Sequence, residues 1–154
     1  MIIRQKKLLD TFEKIRICQI WNCEYPVTLN YENVADFEMY LNSLSDPNHY
    51  LLIGNDDTIQ GWACTFSRND SRWFAILLDT EIHGKGFGSQ MLSELKKAES
   101  DLSGWVIDRD SEVRKDGSFY KSPLDFYLKN QFRPCAEERL ETEKISAVKI
   151  FWKR

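Results

Sequence analysis

The sequence predicts a mixed α/β (α+β) domain with a mostly antiparallel central sheet flanked by about four helices. Three observations carry that expectation. Two segments with helix-like apolar recurrence come first, three apolar runs separated by short polar turns follow, and a glycine-rich loop then leads into a further helix and a late strand. The 154 residues suit one domain with a substantial core, and 42% hydrophobic with 29% charged residues describes a packed globule rather than a disordered chain.

Element by element, Ile2-Ile3-Arg4 reads as a short strand. Phe12, Ile15, Cys18 and Trp21 recur at three-residue steps until Tyr25-Pro26 stops a first helix. A second helix is expected over about 32–44, with Val34, Phe37, Tyr40, Leu41 and Leu44 on one face, ending at Ser45-Asp46-Pro47-Asn48. The runs 49–53, 59–67 and 72–79 form a β-meander, because polar turns this short join antiparallel neighbours. WFAILLD in the third run is nearly all apolar, as a central strand covered on both faces requires. Phe87, Met91, Leu92, Leu95 and Ala98 stripe a helix reaching about Glu99. WVID (105–108) is then a strand able to lie parallel to WFAILLD, since a helix crosses between them. The polar stretch 109–121 reads as a long loop. Ser122-Pro123-Leu124-Asp125 offers an N-cap serine with proline at the first helical position. Runs near 138–141 and 145–152 close the chain as a hairpin.

The charge and composition restrict the partners. A net charge of −3 leaves no cationic surface to follow a phosphate backbone, so nucleic acid is not expected. The N-terminal MIIRQKKLLDTFEK has no signal-length apolar block and no run approaches the roughly 18 apolar residues of a membrane span, so a cytoplasmic protein is expected. Cys18, Cys23, Cys64 and Cys135 show neither CxxC pairing nor a companion histidine at ligand spacing, so they read as reduced thiols and no metal site is expected.

The chemistry concentrates in HGKGFGSQML (83–92). Alternating glycines let backbone N–H groups turn inward as an anion nest, and the helix that follows adds its positive end; the plainer reading is a tight turn packing helix on sheet. A P-loop fails because Lys85 precedes Gly86 rather than Ser or Thr. The dinucleotide GxGxxG fails at Ser89 and should follow the first strand of a βαβ unit.

The run LLDTEIHGKGFGSQML, lying behind two helices and a meander, resembles the acyl-CoA loop of the GNAT N-acetyltransferase superfamily, whose signature Arg/Gln-x-x-Gly-x-Gly/Ala falls on His83, Gly84, Lys85, Gly86, Phe87 and Gly88. FYLKNQF (126–132) resembles that family's FYxKxGF, with Gln131 at the usual glycine, and the element order agrees along nearly the whole chain. His83 departs from the usual Arg or Gln, Tyr120 stands roughly where an asparagine is common, and the 109–121 loop is longer than usual.

The resemblance implies acetyl-CoA as cosubstrate, without a metal, and transfer of its acetyl group to a primary amine of a small molecule or protein by direct attack in a ternary complex. It further implies that WFAILLD and WVID splay apart, and that backbone groups of Leu77, Leu78 and Asp79 hydrogen-bond the pantetheine arm. The 83–88 loop with Ser89 would take the pyrophosphate, the Leu78 N–H would polarise the thioester carbonyl, and Tyr127 would protonate the leaving thiolate. Asp79, Glu81 and Asp108 are the candidate bases by position at strand ends, Glu81 being the one carried forward, whereas His49 reads as structural. The acceptor pocket would involve 21–33 and the late hairpin. Trp21, Tyr25 and Tyr31 suit either substrate stacking or, more commonly, core packing; Trp62 and Trp73 read as core. The alternative from another class is a non-catalytic CoA-binding module or regulatory domain. A final edge strand is compatible with a monomer or a homodimer.

Overall fold

The structure, a computed structural model, describes all residues 1–154. Its elements run β1 (Ile2–Lys6), α1 (Thr11–Glu24), α2 (Val34–Asn42), β2 (Ser45–Ile53), β3 (Ile59–Arg68), β4 (Ser71–Leu78), α3 (Phe87–Ala98), β5 (Asp101–Val106), α4 (Leu124–Lys129), β6 (Arg133–Glu141) and β7 (Ser146–Lys153). One sheet has the order β1-β2-β3-β4-β5-β7-β6. All neighbours are antiparallel except β4 and β5, which are parallel and share a single ladder pair, Trp73 with Ser103. Beyond that pair the two strands diverge, and the expected mixed sheet with a splayed parallel pair is present.

Side-chain alternation along the strands feeds two cores. Trp62, Trp73 and Leu77 pack with Ile17, Trp21 and Phe37 of α1 and α2 on one face. Phe74, Ile76 and Leu102 pack with Met91, Leu95, Tyr127 and Phe132 on the other. The β3–β4 hairpin closes through Asn69 and Asp70, both at positive φ (50° and 58°), the two-residue turn whose twist matches that of its strands.

Several boundaries differ from expectation for identifiable reasons. The α1 face is not the stripe 12-15-18-21: nine residues at 100° each rotate Phe12 to the side opposite Trp21. Phe12 is accordingly 84% exposed, and the buried face is Ile17, Cys18, Ile20, Trp21 and Glu24. The helix starts sharply because Asp10 and Glu13 form a reciprocal capping box. β2 begins four residues before the expected strand. Ser45 and Asn48 pair with Ser67 and Thr65 across an irregularity, and Pro47 sits in that irregular, outer segment, where β1 no longer pairs. In α4 the first helical residue is Leu124, with Pro123 at the cap; the Ser122 Oγ accepts from the Leu124 N–H at 3.2 Å, one residue off the expected register.

The stretch 109–121 is more ordered than a loop. Val113 and Phe119 bridge, the Arg114 N–H donates to Ser118 O, and Gly117 turns at φ 86°. The resulting flap docks on the end of α1, where Pro26 bridges Arg114 and the Val27 N–H donates to Val113 O at 2.8 Å.

Candidate functional site

The C-terminal ends of β4 and β5 make the site, since this is where the sheet opens. The Asp79 N–H donates to Gln60 O at 2.8 Å, so residue 79 faces β3. By ladder alternation Leu77, opposite Trp62, faces β3 as well, whereas the N–H and C=O of Leu78 face the gap. Of the three backbone positions expected to line the gap, Leu78 alone turns both its groups toward it; Leu77 faces β3, and Asp79 gives its N–H to Gln60 O while its C=O accepts from the Ile82 N–H.

Past Leu78 a single 3-10 turn, Thr80–Ile82, leads into the glycine loop. Gly84 and Gly86 have φ of 73° and 86°, a backbone that only glycine adopts without strain, and a Cβ on either would meet nothing within 4 Å. Gly86 caps α3 without a side-chain hydrogen bond, so the first N–H groups of that helix, from Phe87, Gly88 and Ser89, have no capping partner. Open space, inward-turning backbone and an uncapped helix start together fit a pyrophosphate. Gly88 is glycine for a different reason. A Cβ there would lie 2.9 Å from Phe126 Cζ, so it is a packing position that joins the loop to α4.

His83 does not point into this nest. Its Nε2 is 2.9 Å from Leu78 O and 3.6 Å from Glu24 Oε1, which places the ring beside the gap. Lys85 is exposed at the loop tip.

Tyr127 is 8% exposed, its ring packed edge-on to Phe74, Phe126 and Phe132. Burial first, then Tyr25 and Tyr120, push its hydroxyl well above the usual tyrosine range, with no hydrogen bond contributing. It therefore stays a proton donor at any working pH. Tyr25 and Tyr120 are raised by the same burial, and their rings are 6.4 Å apart.

The candidate carboxylates separate clearly. The Arg16 Nη2 donates to Asp79 Oδ2 at 2.7 Å, and the other carboxylate oxygen, Oδ1, caps the Glu81 N–H. Asp108 is held by two nitrogens of Arg139, at 2.9 and 3.1 Å, which draws its carboxyl below the usual range. Both are structural anchors here. Glu81 is exposed, and its carboxylate accepts no hydrogen bond from the protein.

The carboxylate at the gap is instead Glu24, 9% exposed at the end of α1, which accepts from the Thr80 N–H at 3.1 Å and the Thr80 hydroxyl at 2.5 Å. Arg114 Nη1 from the flap stands 3.5 Å from its Oε1. Sequence reasoning passed over this residue, although a signal was present: Glu24 continues the Ile17, Trp21 face, an acid in an apolar stripe. A surface hollow of about 420 Å³ at the opposite end of β4, between Arg68, Ser71 and Asp101, is lined by no hydrophobic residue and lies away from the gap.

The family model for the acetyltransferase (GNAT) family matches residues 14–113, from within α1 into the flap. The chain belongs to this acetyltransferase family. No curated protein sequence matches it. Among solved structures, an aminoglycoside 6'-N-acetyltransferase complexed with coenzyme A superposes with TM-score 0.71 at 10% identity, covering 99% of this chain and 97% of that one. A phosphinothricin acetyltransferase from Sinorhizobium meliloti in complex with AcCoA gives 0.65 at 12%, covering 99% and 89%. A spermidine N-acetyltransferase from Vibrio cholerae gives 0.65 at 15%, covering 99% and 95%. At such identities the likeness concerns the fold, and the acceptor of this GNAT chain is set by its own residues.

Proposed function

We propose that this GNAT chain is an acetyl-CoA-dependent N-acetyltransferase acting on a primary amine of a small molecule. The observation that carries the reading is the joining of an open glycine nest and an uncapped helix start to a strand end whose Leu78 N–H faces a gap in the sheet. The coenzyme in the structures of two fold neighbours supports the same reading.

Acetyl-CoA would supply the acetyl thioester. The 84–89 backbone would hold its pyrophosphate, and the Leu78 N–H would donate to the carbonyl oxygen as negative charge develops there, stabilising the transition state more than the bound substrate. The amine nitrogen, once it has given up its ammonium proton to solvent, forms a bond to the acetyl carbon as the carbon–sulfur bond breaks; the Tyr127 hydroxyl gives its proton to the departing sulfur, and the proton the nitrogen sheds in becoming an amide restores the phenol. Burial of Tyr127 keeps that proton in place until it is needed. The flap docked on Pro26 and Val27 covers the acceptor side, which favours a small molecule over a protein loop.

The test is thiol release from acetyl-CoA with a panel of primary amines, alongside CoA-dependent thermal stabilisation. Stabilisation with turnover is expected. Stabilisation with no turnover on any amine would sink the enzymatic reading and leave a CoA-binding module.

A further inference from the structure

Glu24 is a buried carboxylate whose hydrogen bonding is incomplete. Thr80 supplies two donors, its N–H and one hydroxyl proton, and both are closest to Oε2, at 3.1 and 2.5 Å. A hydroxyl has a single proton, so Oε1, 2.8 Å from the same Oγ1, is left without it. The remaining neighbours of Oε1 are Arg114 Nη1 at 3.5 Å and His83 Nε2 at 3.6 Å, both beyond a good charge-assisted hydrogen bond. The His83 Nε2 that approaches Oε1 is also 2.9 Å from Leu78 O, so this unfilled acceptor lies beside the strand end proposed to orient the thioester.

Arg114 is as poorly served as Glu24. Its Nε is buried with no partner, and its Nη2 reaches Phe119 O only at 3.5 Å. Nothing locks the guanidinium onto Glu24. The two charges offset one another's burial without the fork geometry that makes an arginine–carboxylate pair strong. A compact ammonium with three rotatable donors suits the single open oxygen better than a planar guanidinium held off by its own flap. The Tyr120 ring lies 6.4 Å from that of Tyr25, the residue that follows Glu24; burial and then Tyr25 raise its pKa, Arg114 lowers it and Glu24 adds the smallest push upward.

We infer that Glu24 is the binding site for the acceptor's ammonium, and that Arg114 is its resident counter-ion, displaced when the acceptor enters. This rests on the acetyltransferase reading for its context, and it names the acceptor class: a small primary alkylamine that reaches Glu24 as a cation, beneath the flap. Arg114 is then a competitor, and removing it improves acceptor binding. If Glu24 and Arg114 were only a structural pair, removing either would weaken the site.

The experiment titrates n-butylamine into the CoA-saturated protein by calorimetry and measures its KM with acetyl-CoA, for the wild type, Glu24→Gln and Arg114→Met. Glutamine keeps an acceptor for Thr80 and removes the charge. Loss of a charge-assisted bond predicts about tenfold to a hundredfold weaker binding for Glu24→Gln, and Arg114→Met should bind more tightly than the wild type. CoA-dependent thermal stabilisation should be unchanged in both, which separates a local effect from misfolding. Unaltered binding in Glu24→Gln, weakened binding in Arg114→Met, or no binding by the wild type would each overturn the inference. Glu24-dependent binding without thiol release would leave it standing and instead defeat the acetyltransferase reading.

Discussion

Gly88 and Phe126 are in direct contact: a Cβ on Gly88 would come 2.9 Å from Cζ of the Phe126 ring and 3.1 Å from Cε1. The glycine loop and the FYLKNQF helix are therefore two sides of one packing joint. Gly88→Ala should cost about 1–3 kcal/mol in urea denaturation through overpacking. At Gly86, where added atoms meet open space, Gly86→Asp should place a charge in the nest and abolish CoA binding, with only the roughly 1 kcal/mol strain of a non-glycine residue at positive φ. Retained CoA binding in Gly86→Asp, or a larger stability loss there than in Gly88→Ala, would contradict this division of roles.

Gln131 follows α4 at φ 71°, in the left-handed region. The Phe132 N–H donates to Tyr127 O and the Gln131 N–H to Leu128 O, so the helix ends in a Schellman motif with glutamine at the position glycine favours. Gln131→Gly should stabilise the protein by about 0.5–1 kcal/mol, the relieved strain being partly offset by a more flexible unfolded chain. No gain in the denaturation midpoint would show that the strain is absorbed elsewhere.

The fold was legible where one pattern served one element. The meander follows from apolar runs joined by short polar turns, the WFAILLD strand from its nearly unbroken apolar run and the 87–98 helix from its period, and the resemblance carried by two motifs supplied the splayed pair. The site was less legible because its determinants cross elements. Glu24 matters through Thr80, 56 residues away in sequence, and through a flap that looks like a polar loop until Val113 pairs with Phe119 and docks on Val27. His83 likewise falls at a nest position through the resemblance to the family signature, yet its ring turns back to Leu78 O.

Tyr127→Phe keeps the aromatic packing on Phe74 and Phe132 and removes only the hydroxyl. A proposed general acid is worth about a hundredfold to ten-thousandfold, so kcat should fall by at least the lower figure with CoA affinity unchanged. Since burial keeps the phenol protonated, the wild-type rate should show no alkaline loss from this group below about pH 10. A parallel fall in CoA affinity would mean that Tyr127 shapes the cofactor site rather than the chemistry.

Glu81→Gln tests the acid that strand position suggests. An exposed carboxylate without partners should tolerate the change, with kcat/KM altered by less than about threefold. A loss of a hundredfold would restore Glu81 as the base, acting through water from the rim of the gap.

His49 is 4% exposed, and its Nδ1 accepts from the Trp62 indole N–H at 3.2 Å, a bond that requires the unprotonated nitrogen. Burial lowers its pKa from 6.5 to about 4. Above pH 6.5 the ring is neutral whether the chain is folded or unfolded, and its contribution is complete. Between pH 6.5 and 4 the unfolded chain takes up a proton that the folded one refuses, so stability falls by roughly 3 kcal/mol in all and then levels. Carboxylates lowered by their partners, such as Asp108 and Glu141, begin to add losses as pH reaches their ordinary values of 3.8 and 4.5, at the foot of that window, and continue below it. His49→Gln can still offer Trp62 an acceptor and does not titrate. Its stability curve should be flatter than the wild type's between pH 6.5 and 4, and parallel curves across that window would remove His49 as the cause.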